Sequence, residues 1–232
     1  MRKQTVCIIL PALNEESTIA EVIDEIPRRA LEEKGYRVDI VVVDNNSSDR
    51  TGQIAQGKGV RVIREQRKGK GRAVRKALSM LKADYVFMLD ADYTYPATYI
   101  GDMLKLLESG SPAVIGSRLN GQLEKGAMSW LNLIGNYLLT LMASILYRTR
   151  TTDLCTGYWG LRGEVIPNLK LSANGFQLEA DLFIQLARKG YSIAQLPIYY
   201  RRRVSPPKLN SLRDGIKIGW TLLTHRLRRS AD

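Results

Sequence analysis

Short runs of apolar residues, each followed by a polar loop, dominate the first half of the chain. Residues 6–10 are such a run, residues 38–43 and 60–63 are apolar except for Asp39 and Arg61, and residues 19–26 carry apolar side chains at helical spacing. A strand that is apolar on both faces is typical of a parallel sheet covered by helices on both sides. The pattern therefore predicts an α/β fold with a mostly parallel sheet flanked by helices.

Capping residues predict where the connecting helices begin and end. Thr18 with Glu21 three residues later forms a capping box, and Pro27 is expected to kink the helix that follows. Ser48 is predicted to cap a short helix after the second apolar run. The segment Lys-Gly-Lys-Gly-Arg at residues 68–72 is predicted to open a further helix.

A pair of carboxylates follows another apolar run. Residues 86–89 lead directly into Asp90-Ala91-Asp92. In an extended chain, residues i and i+2 point to the same side, which brings the two carboxylates together. Mg²⁺ typically takes one or two protein carboxylates and completes its shell with water and substrate phosphates. The pair predicts a binding site for Mg²⁺ or Mn²⁺, with the metal holding a diphosphate. Alternatively, the two aspartates form an acidic turn after the strand.

Several loops are expected to meet at one edge of the sheet, because ligands of such sheets bind beyond the carboxyl ends of the strands. These are residues 11–15, Asp44, residues 68–71 and the carboxylate pair. Residues 68–71 lack the Lys-Ser/Thr of a P-loop and the third glycine of a dinucleotide fingerprint. A basic loop at a helix N-terminus nevertheless suits a nucleotide. Together the loops predict a nucleotide-diphosphate site.

The charge balance narrows the partners. Lysine and arginine number 35 against 23 acidic residues, a formal net charge of +12 at pH 7, which favours nucleic acid, an anionic membrane or a phosphorylated substrate. The basic residues are dispersed and no aromatic stacking platform is evident, so no nucleic-acid partner is expected. Cys7 and Cys155 support neither a disulfide framework nor a cysteine zinc site, which fits a reducing compartment.

Several short segments of the chain carry recognisable motifs. In the first half they are Pro-Ala-Leu-Asn-Glu-Glu at 11–16, Val-Val-Val-Asp-Asn-Asn-Ser-Ser-Asp-Arg-Thr at 41–51, Lys-Gly-Lys-Gly at 68–71, Asp-Ala-Asp at 90–92 and Gly-Ser-Arg at 116–118. In this order they resemble the family 2 glycosyltransferases of the GT-A (Rossmann-like) fold. The later segments are Asp-Leu-Cys-Thr-Gly-Tyr-Trp-Gly at 153–160, Gly-Phe-Gln-Leu-Glu at 175–179, and Pro-Ile-Tyr-Tyr-Arg-Arg-Arg at 197–203 followed by Lys208-Leu209. They resemble the polyprenyl-phosphate sugar synthases, that is, the dolichyl-phosphate mannosyltransferase and glucosyltransferase group, so the resemblance covers nearly the whole chain.

The resemblance implies a nucleotide-sugar site with the base and ribose near the first loop. Asp44 would contact the base, and Lys68 and Gly71 would flank the nucleotide. The nucleotide-sugar contacts so predicted are Pro11, Ala12, Asn14, Glu15, Asp44, Asn46, Lys68, Gly71, Asp90, Ala91 and Asp92.

The resemblance also implies that Asp90 and Asp92 hold the divalent metal, with Thr94 as a further ligand. Arg203 and Lys208 match a basic pair that closes over phosphates in relatives. Here Ser205-Pro206-Pro207 replace the usual Gly and Ser between them, which predicts a stiffer loop. The predicted catalytic residues are Asp92, Arg118 and Glu179, and the predicted acceptor-phosphate contacts are Arg118, Asn136, Arg203 and Lys208.

The acceptor can be considered from the chemistry alone. A phosphate monoester has a second pKa near ~6 and is already anionic at neutral pH, so it needs positioning by cations more than deprotonation. The one histidine, His225, lies near the C-terminus among arginines, so no histidine base is evident. This suits a phosphate acceptor, which needs no base. Glu179 and Asp181 are candidate bases for an alcohol acceptor. Alternatively, they simply begin a helix over residues 182–189.

Two helical segments bear on membrane contact. Residues 130–147 are very apolar, but Asn132 and Asn136 interrupt them, so a buried or interfacial helix is predicted rather than a transmembrane one. The C-terminal segment predicts a basic amphipathic helix that either lies in the plane of a membrane or docks on the core. Its apolar stripe is Leu212, Ile216, Trp220, Leu223 and Leu227, surrounded by Arg213, Lys217, Arg226, Arg228 and Arg229.

Residues 1–209 are expected to form one GT-A domain, with the C-terminal helix at residues 210–232. A hydrophobic content of 44% over 232 residues is enough for one sizeable core. The predicted protein is cytoplasmic and peripherally associated with the cytoplasmic face of the membrane.

The predicted reaction is a metal-dependent, inverting transfer of mannose, glucose or N-acetylglucosamine from a GDP- or UDP-sugar to dolichyl or polyprenyl phosphate. One alternative is a family 2 transferase whose acceptor is a saccharide or other alcohol. A second is a basic module that binds nucleic acid or membrane without catalysis.

Overall fold

A computed structural model describes residues 2–205, Lys208 and residues 211–228; of Arg228 it describes the backbone only. The described residues form one seven-stranded sheet with the order β3-β2-β1-β4-β6-β5-β7. The strands are β1 (Thr5–Ala12), β2 (Arg37–Asp44), β3 (Arg61–Arg64), β4 (Tyr85–Met88), β5 (Ala113–Leu123), β6 (Trp159–Arg162) and β7 (Ile193–Tyr200).

Eight α-helices connect or flank these strands in the described part of the chain. They are α1 (Ile19–Glu25), α2 (Arg28–Glu33), α3 (Thr51–Gly57), α4 (Lys70–Met80), α5 (Ile100–Glu108), α6 (Trp130–Tyr147), α7 (Leu178–Arg188) and α8 (Ser211–Arg228). Short 3₁₀ helices occupy Ala97–Tyr99 and Gly163–Asn168.

The prediction of a mostly parallel α/β sheet is confirmed. Strands β3, β2, β1 and β4 pair in parallel, as do β5 and β7, whereas β6 runs antiparallel between β4 and β5. Because β1, β2 and β4 share one direction, the loops that follow them meet at one edge of the sheet. The predicted functional loops therefore lie together.

Burial on both faces explains why the strands lack polar alternation. In β1, Val6, Ile8 and Leu10 pack in a cluster with α1, α2 and α5, whereas Cys7 and Ile9 pack in a cluster with α4 on the other face. A third cluster joins α6, α7 and α8 to β5 and β6. The sheet is thus the middle layer between two layers of helices.

Two capping predictions are wrong. Helix α1 begins where expected, but Thr18 makes no side-chain capping bond, and its hydroxyl donates to the Ala91 carbonyl at 2.8 Å instead. Ser48 does not cap α3, which begins at Thr51. The Ser48 amide and hydroxyl donate to Asn14 Oδ1 at 2.8 and 3.3 Å. In both cases the side chain bonds to another loop instead of capping the helix that follows it.

The helical path is broken at Pro27, as the sequence predicted. Helix α1 ends at Glu25 and α2 begins at Arg28. The first turn of α7 contains Glu179 and Asp181, so this helix begins a turn earlier than the predicted residues 182–189.

Helix α6 is not buried, which corrects one of the two possibilities that the sequence left open. Only 11% of Trp130–Tyr147 is buried, and α6 is the one helix in the described part of the chain long and apolar enough to cross a membrane. Its exposed apolar side chains are Trp130, Leu131, Ile134, Tyr137, Leu138, Leu141 and Ile145.

Helix α8 docks on the core, which is one of the two arrangements that the sequence allowed. Ile218 and Leu222 are buried against α6 and α7, and the Tyr147 hydroxyl donates to the Leu222 carbonyl at 2.8 Å. Its predicted apolar stripe is exposed: Leu212, Ile216, Trp220, Leu223 and Leu227. We call the exposed apolar side chains of these two helices the α6/α8 face. The predicted division at 209/210 falls on residues outside the described part and stays a prediction.

Gly160 in β6 tests the packing at the centre of the sheet. A Cβ at this position would lie 2.7 Å from both Phe87 Cε1 and Val114 Cγ1. We expect Gly160→Ala to lower the free energy of unfolding by about 1–3 kcal/mol, because the core must shift to admit the methyl group. Urea denaturation measures this change.

Gly101 in α5 provides the matched control. A Cβ there meets no atom within 4 Å. Gly101→Ala should therefore raise stability by up to ~1 kcal/mol through helix propensity. Equal effects of the two substitutions would contradict the packing argument.

Candidate active site

A cavity of about 310 Å³ opens at the carboxyl ends of β1, β2 and β4. It collects residues from the predicted loops and from two segments late in the chain. The lining residues are Pro11, Ala12, Leu13, Glu15, Asn45, Lys68, Gly69, Lys70, Asp90, Ala91, Asp92, Gly175, Phe176, Arg203 and Lys208. We call this the donor cavity.

Asp92 is held from both sides. Its Oδ1 accepts hydrogen bonds from the Thr94 hydroxyl at 2.6 Å and the Thr94 amide at 3.2 Å, and its Oδ2 lies 3.3 Å from Arg203 Nη1. Burial, and then the negative charge of Asp90, raise the pKa of Asp92, while Arg203 opposes the shift. Thr94 is fully buried and orients Asp92, so its predicted role as a metal ligand stays a prediction.

Lys70 connects Asp90, which lines the donor cavity, to Glu179, which is buried and lies outside the cavity lining. Its ammonium lies 2.5 Å from Asp90 Oδ1 and 2.6 Å from Glu179 Oε1. Burial lowers the pKa of Lys70, but the two carboxylates outweigh this effect and hold it above its ordinary value. Burial raises the pKa of Glu179, and Lys70 offsets part of that rise. Lys70 therefore carries its charge and offsets part of the negative charge of the buried Glu179 and the partly exposed Asp90.

Lys70 was not predicted as a site residue. From its Lys-Gly-Lys-Gly segment only Lys68 and Gly71 were predicted to contact the nucleotide. Lys68 does line the donor cavity, but Gly71 packs under it: a Cβ there would lie 2.2 Å from the Ala173 carbonyl oxygen. The spacing of residues in this loop does not indicate which lysine contacts the carboxylates, because this depends on where Glu179 lies in the fold.

The segment after β7 folds back over the first loop. Arg203 Nη2 lies 3.1 Å from Glu15 Oε1, and Lys208 Nζ lies 2.5 Å from the same oxygen. The Ser205 hydroxyl donates to Glu15 Oε2 at 3.1 Å. Since Arg203 also contacts Asp92, it joins the first loop to the predicted metal carboxylates. Pro206 and Pro207, to which the stiffer loop was attributed, lie outside the described residues.

The two aspartates fit a divalent cation. Both supply hard carboxylate oxygens to the donor cavity, and the Asp90 side chain is 28% exposed. No group of three or more His, Cys, Asp or Glu side chains in the described ranges could hold a metal by itself. Two carboxylates with substrate phosphates and water are the donor set that Mg²⁺ commonly uses.

Arg118 lies in a separate buried network. Its Nε and Nη2 each donate to Asp153 at 2.7 Å, and its Nη2 reaches Asn136 Oδ1 at 3.4 Å. The guanidinium carbon lies 5.3 Å from the centre of the Tyr200 ring. Asp153 was quoted only as part of a motif, and the bidentate pair shows that it fixes the orientation of Arg118.

Three other predicted nucleotide contacts, like Gly71, lie outside the lining of the donor cavity. Asp44 accepts from the Ser47 amide at 2.9 Å, while Asn14 and Asn46 are exposed. Asn45 lines the cavity in place of Asn46: its side chain donates to the Arg67 carbonyl at 2.9 Å and accepts from the Gly69 amide at 2.6 Å.

Sequence comparison decides the family. The sequence profile described as glycosyl transferase family 2 matches residues 7–169. The chain belongs to this family. The resemblance read from the motifs is confirmed, and so is the expectation of a glycosyltransferase.

Named relatives of this family 2 enzyme share most of its length. It is 34% identical over 218 residues to a dolichyl-phosphate hexose transferase of Haloferax volcanii, covering 93% of this chain and 91% of that protein. It is 33% identical over 213 residues to the glycosyltransferase AglJ of the same organism, covering 90% of this chain and 68% of that protein.

The fold of the enzyme is also found among solved structures. Glucosyl-3-phosphoglycerate synthase from Mycobacterium tuberculosis, crystallised with Mn²⁺ and UDP-glucose, matches with a TM-score of 0.73 and 25% identity. The match covers 96% of this chain and 79% of that one. The predicted GT-A architecture is confirmed.

The pair of Arg118 and Asp153 gives a test of the buried network in this enzyme. Asp153→Leu should lower the free energy of unfolding by about 3–5 kcal/mol, because it leaves Arg118 as a buried cation without its partner. Arg118→Met/Asp153→Leu removes both charges and should cost less than the sum of the single variants. Urea denaturation of all four proteins gives the coupling, and additive losses would refute it.

Proposed function

We propose that this family 2 glycosyltransferase transfers a hexose from a nucleotide sugar to dolichyl phosphate or another polyprenyl phosphate. The observation that carries the proposal is the arrangement of Asp90 and Asp92 with Lys70, Arg203 and Lys208 around one cavity. Carboxylates for a metal next to fixed cations are the groups that a departing nucleoside diphosphate requires.

The donor would lie along the first loop with its diphosphate towards the carboxylates. Pro11, Ala12 and Asn45 would contact the nucleoside, and Lys68 would flank it. Mg²⁺ or Mn²⁺ bound by Asp90 and Asp92 would absorb negative charge on the diphosphate. The donors that fit are GDP- or UDP-linked mannose, glucose or N-acetylglucosamine.

In this proposal the cations of the donor cavity exchange partners when the donor binds. Arg203 contacts Glu15 and Asp92 in the structure described here. Its guanidinium is close enough to Asp92 to meet a phosphate placed beside it, and the ammonium of Lys208 lines the same cavity. The internal ion pairs would hold both cations in position beforehand, which lowers the entropic cost of binding.

The acceptor phosphate would be positioned by Arg118, whose orientation Asp153 fixes. Helix α6 contributes Asn136 to this network and carries exposed apolar residues elsewhere on its surface. The same helix would therefore contact the lipid and the phosphate that the lipid carries. The name of the Haloferax hexose transferase supports a dolichyl-phosphate acceptor.

A phosphate acceptor also suits the state of Glu179. Its carboxylate is 2.6 Å from the ammonium of Lys70, an arrangement that stabilises charge rather than receives a proton. Inversion then follows from a single in-line displacement by the phosphate oxygen, with no protein base.

An alcohol or saccharide acceptor is the second candidate, and one observation favours it. Glu179 is buried beside Asp90 and its pKa is raised, as in many general bases. In that case Glu179 would take the proton of the acceptor hydroxyl.

The first experiment measures transfer from a panel of radiolabelled GDP- and UDP-sugars into organic-extractable polyprenyl phosphate. We expect product with Mg²⁺ or Mn²⁺, none with EDTA, and a loss of at least about 10²-fold in Asp90→Ala and Asp92→Ala, because both carboxylates would bind the metal. Asp102→Ala, an exposed acid on α5, is the matched control and should retain full activity.

Glu179→Gln separates the two acceptor classes. Near-normal turnover onto polyprenyl phosphate excludes this residue as a base. Metal-dependent hydrolysis of the donor without lipid product, together with transfer to water-soluble alcohols that Glu179→Gln abolishes, would overturn the lipid acceptor in favour of the second candidate.

We further propose peripheral binding of the enzyme to the cytoplasmic face of a membrane through the α6/α8 face. Trp220→Glu should weaken sedimentation with phosphatidylglycerol vesicles about tenfold or more, since it places a charge where an aromatic ring would enter the interface. Met80→Glu makes the same kind of change at an exposed apolar residue of α4 and should bind as the wild type. A wild-type protein that stays soluble with these vesicles at low salt would refute the proposal.

A further inference from the structure

A second concave surface, separate from the donor cavity, lies between α4 and the end of β3. It has a volume of about 580 Å³, and we call it the basic groove. Its lining residues are Arg64, Glu65, Gln66, Arg67, Arg72, Arg75, Lys76 and Ser79. None of these residues lines the donor cavity, and the transfer reaction does not use them.

The basic groove concentrates positive charge. Five cationic side chains and one carboxylate line it, and all five cations come from the short stretch of residues 64–76. Helix α4 presents Arg72, Arg75 and Lys76 on one side, because residues three and four apart share a helix face. Cations placed so close together repel one another, and this repulsion is relieved when an anion binds between them.

Glu65 does not neutralise the whole groove. Its Oε1 accepts from the Arg67 amide at 2.9 Å and lies 3.3 Å from Arg67 Nε, and its Oε2 lies 3.9 Å from Lys76 Nζ. No ion pair to Arg64, Arg72 or Arg75 occurs among the described residues. Three guanidinium groups therefore face the groove without a carboxylate partner.

Arg75 is held in place by neutral groups. Its Nη1 donates to the Leu171 carbonyl at 3.2 Å and its Nη2 to Asn174 Oδ1 at 2.7 Å. Its Nε is buried and makes no hydrogen bond within the described residues. The charge is thus fixed at the groove by bonds that leave it uncompensated.

We propose that the basic groove binds a small polyphosphate anion, such as pyrophosphate or a larger phosphoanhydride. Arginine side chains match the oxygens of phosphate groups in pairs, which favours phosphate over simple halide or carboxylate ions. The volume admits a ligand of several phosphate groups. No aromatic side chain lines the groove, so the ligand needs no base or apolar part.

The groove shares two segments with the donor cavity, although no lining residue is common to both. The Arg67 carbonyl accepts from Asn45, and Asn174, which binds Arg75, precedes the cavity residues Gly175 and Phe176. An anion in the groove would therefore lie directly behind the wall of the donor cavity. Arg72 Nη1 also makes an exposed hydrogen bond to the carbonyl of the cavity residue Lys68, at 3.3 Å. Variants that test the groove therefore leave Arg67, Arg75 and Asn174 in place.

Isothermal titration with inorganic pyrophosphate, without divalent metal, tests the groove in the full-length protein. The variant is Arg64→Gln/Arg72→Gln, which removes two cations that have no carboxylate partner. We expect its affinity for pyrophosphate at the groove to fall at least about tenfold, because each lost contact is a charge-assisted hydrogen bond. Lys34→Gln/Arg37→Gln removes two exposed cations near the start of β2 and should bind as the wild type.

Binding in the donor cavity is distinguished by a second variant. Arg203→Gln/Lys208→Gln removes cations of the donor cavity and should keep groove binding within about twofold of the wild type, because it leaves all five groove cations in place. Circular dichroism confirms that each variant is folded. Transfer activity is measured on the same preparations, so a failure of the transfer proposal is recorded separately.

Two results would overturn the proposal. One is equal pyrophosphate affinity in the wild type and Arg64→Gln/Arg72→Gln. The other is a single-stranded oligonucleotide that binds more tightly than pyrophosphate and loses affinity in this variant, because the groove would then serve nucleic acid.

Discussion

The ammonium of Lys70, placed between Asp90 and Glu179, is the interaction on which the candidate site depends. Glu179 is buried and Asp90 is partly exposed, so without a cation the two carboxylates would repel each other and Glu179 would lose its hydration uncompensated; the Lys70 ammonium offsets both effects. Gly157 leaves the necessary room, since a Cβ there would lie 2.4 Å from Asp90 Oδ2 and 3.1 Å from Lys70 Nζ. The position of the carboxylate predicted to bind metal is therefore set by three separate parts of the chain.

A second set of charges is organised in the same way. Arg203 lies between Glu15 and Asp92, and Lys208 adds a second cation at Glu15. Every acidic side chain that lines the donor cavity thus has a basic partner in the described structure. The site is nearly neutral although the protein carries a net charge of +12, and much of the excess lies elsewhere, including the groove between α4 and β3.

The first half of the fold followed from local patterns in the sequence. Apolar runs bounded by polar loops predicted β1 to β4, whereas β5, β6 and β7 and the antiparallel direction of β6 were not predicted. The rule that ligands bind at the carboxyl ends of parallel strands brought residues 11–15 together with Asp90 and Asp92. Contacts between distant segments were not accessible in this way. Lys70 and Asn45 were missed because their inward orientation depends on partners far along the chain. The predicted capping box at Thr18 does not form for the same reason, because the Thr18 hydroxyl donates to the Ala91 carbonyl in another loop.

Strand order has a consequence for synthesis at the ribosome. Strands β1 to β4 are contiguous in the sequence and adjacent in the sheet, so they can assemble before the later strands exist. At that stage Lys70 and Asp90 have been made but Glu179 has not, and Glu15 still lacks Arg203. The nascent chain passes through a stage in which its pocket carries unpaired charge. The ion pairs of the donor cavity become complete only after Arg203 and Lys208 have left the exit tunnel.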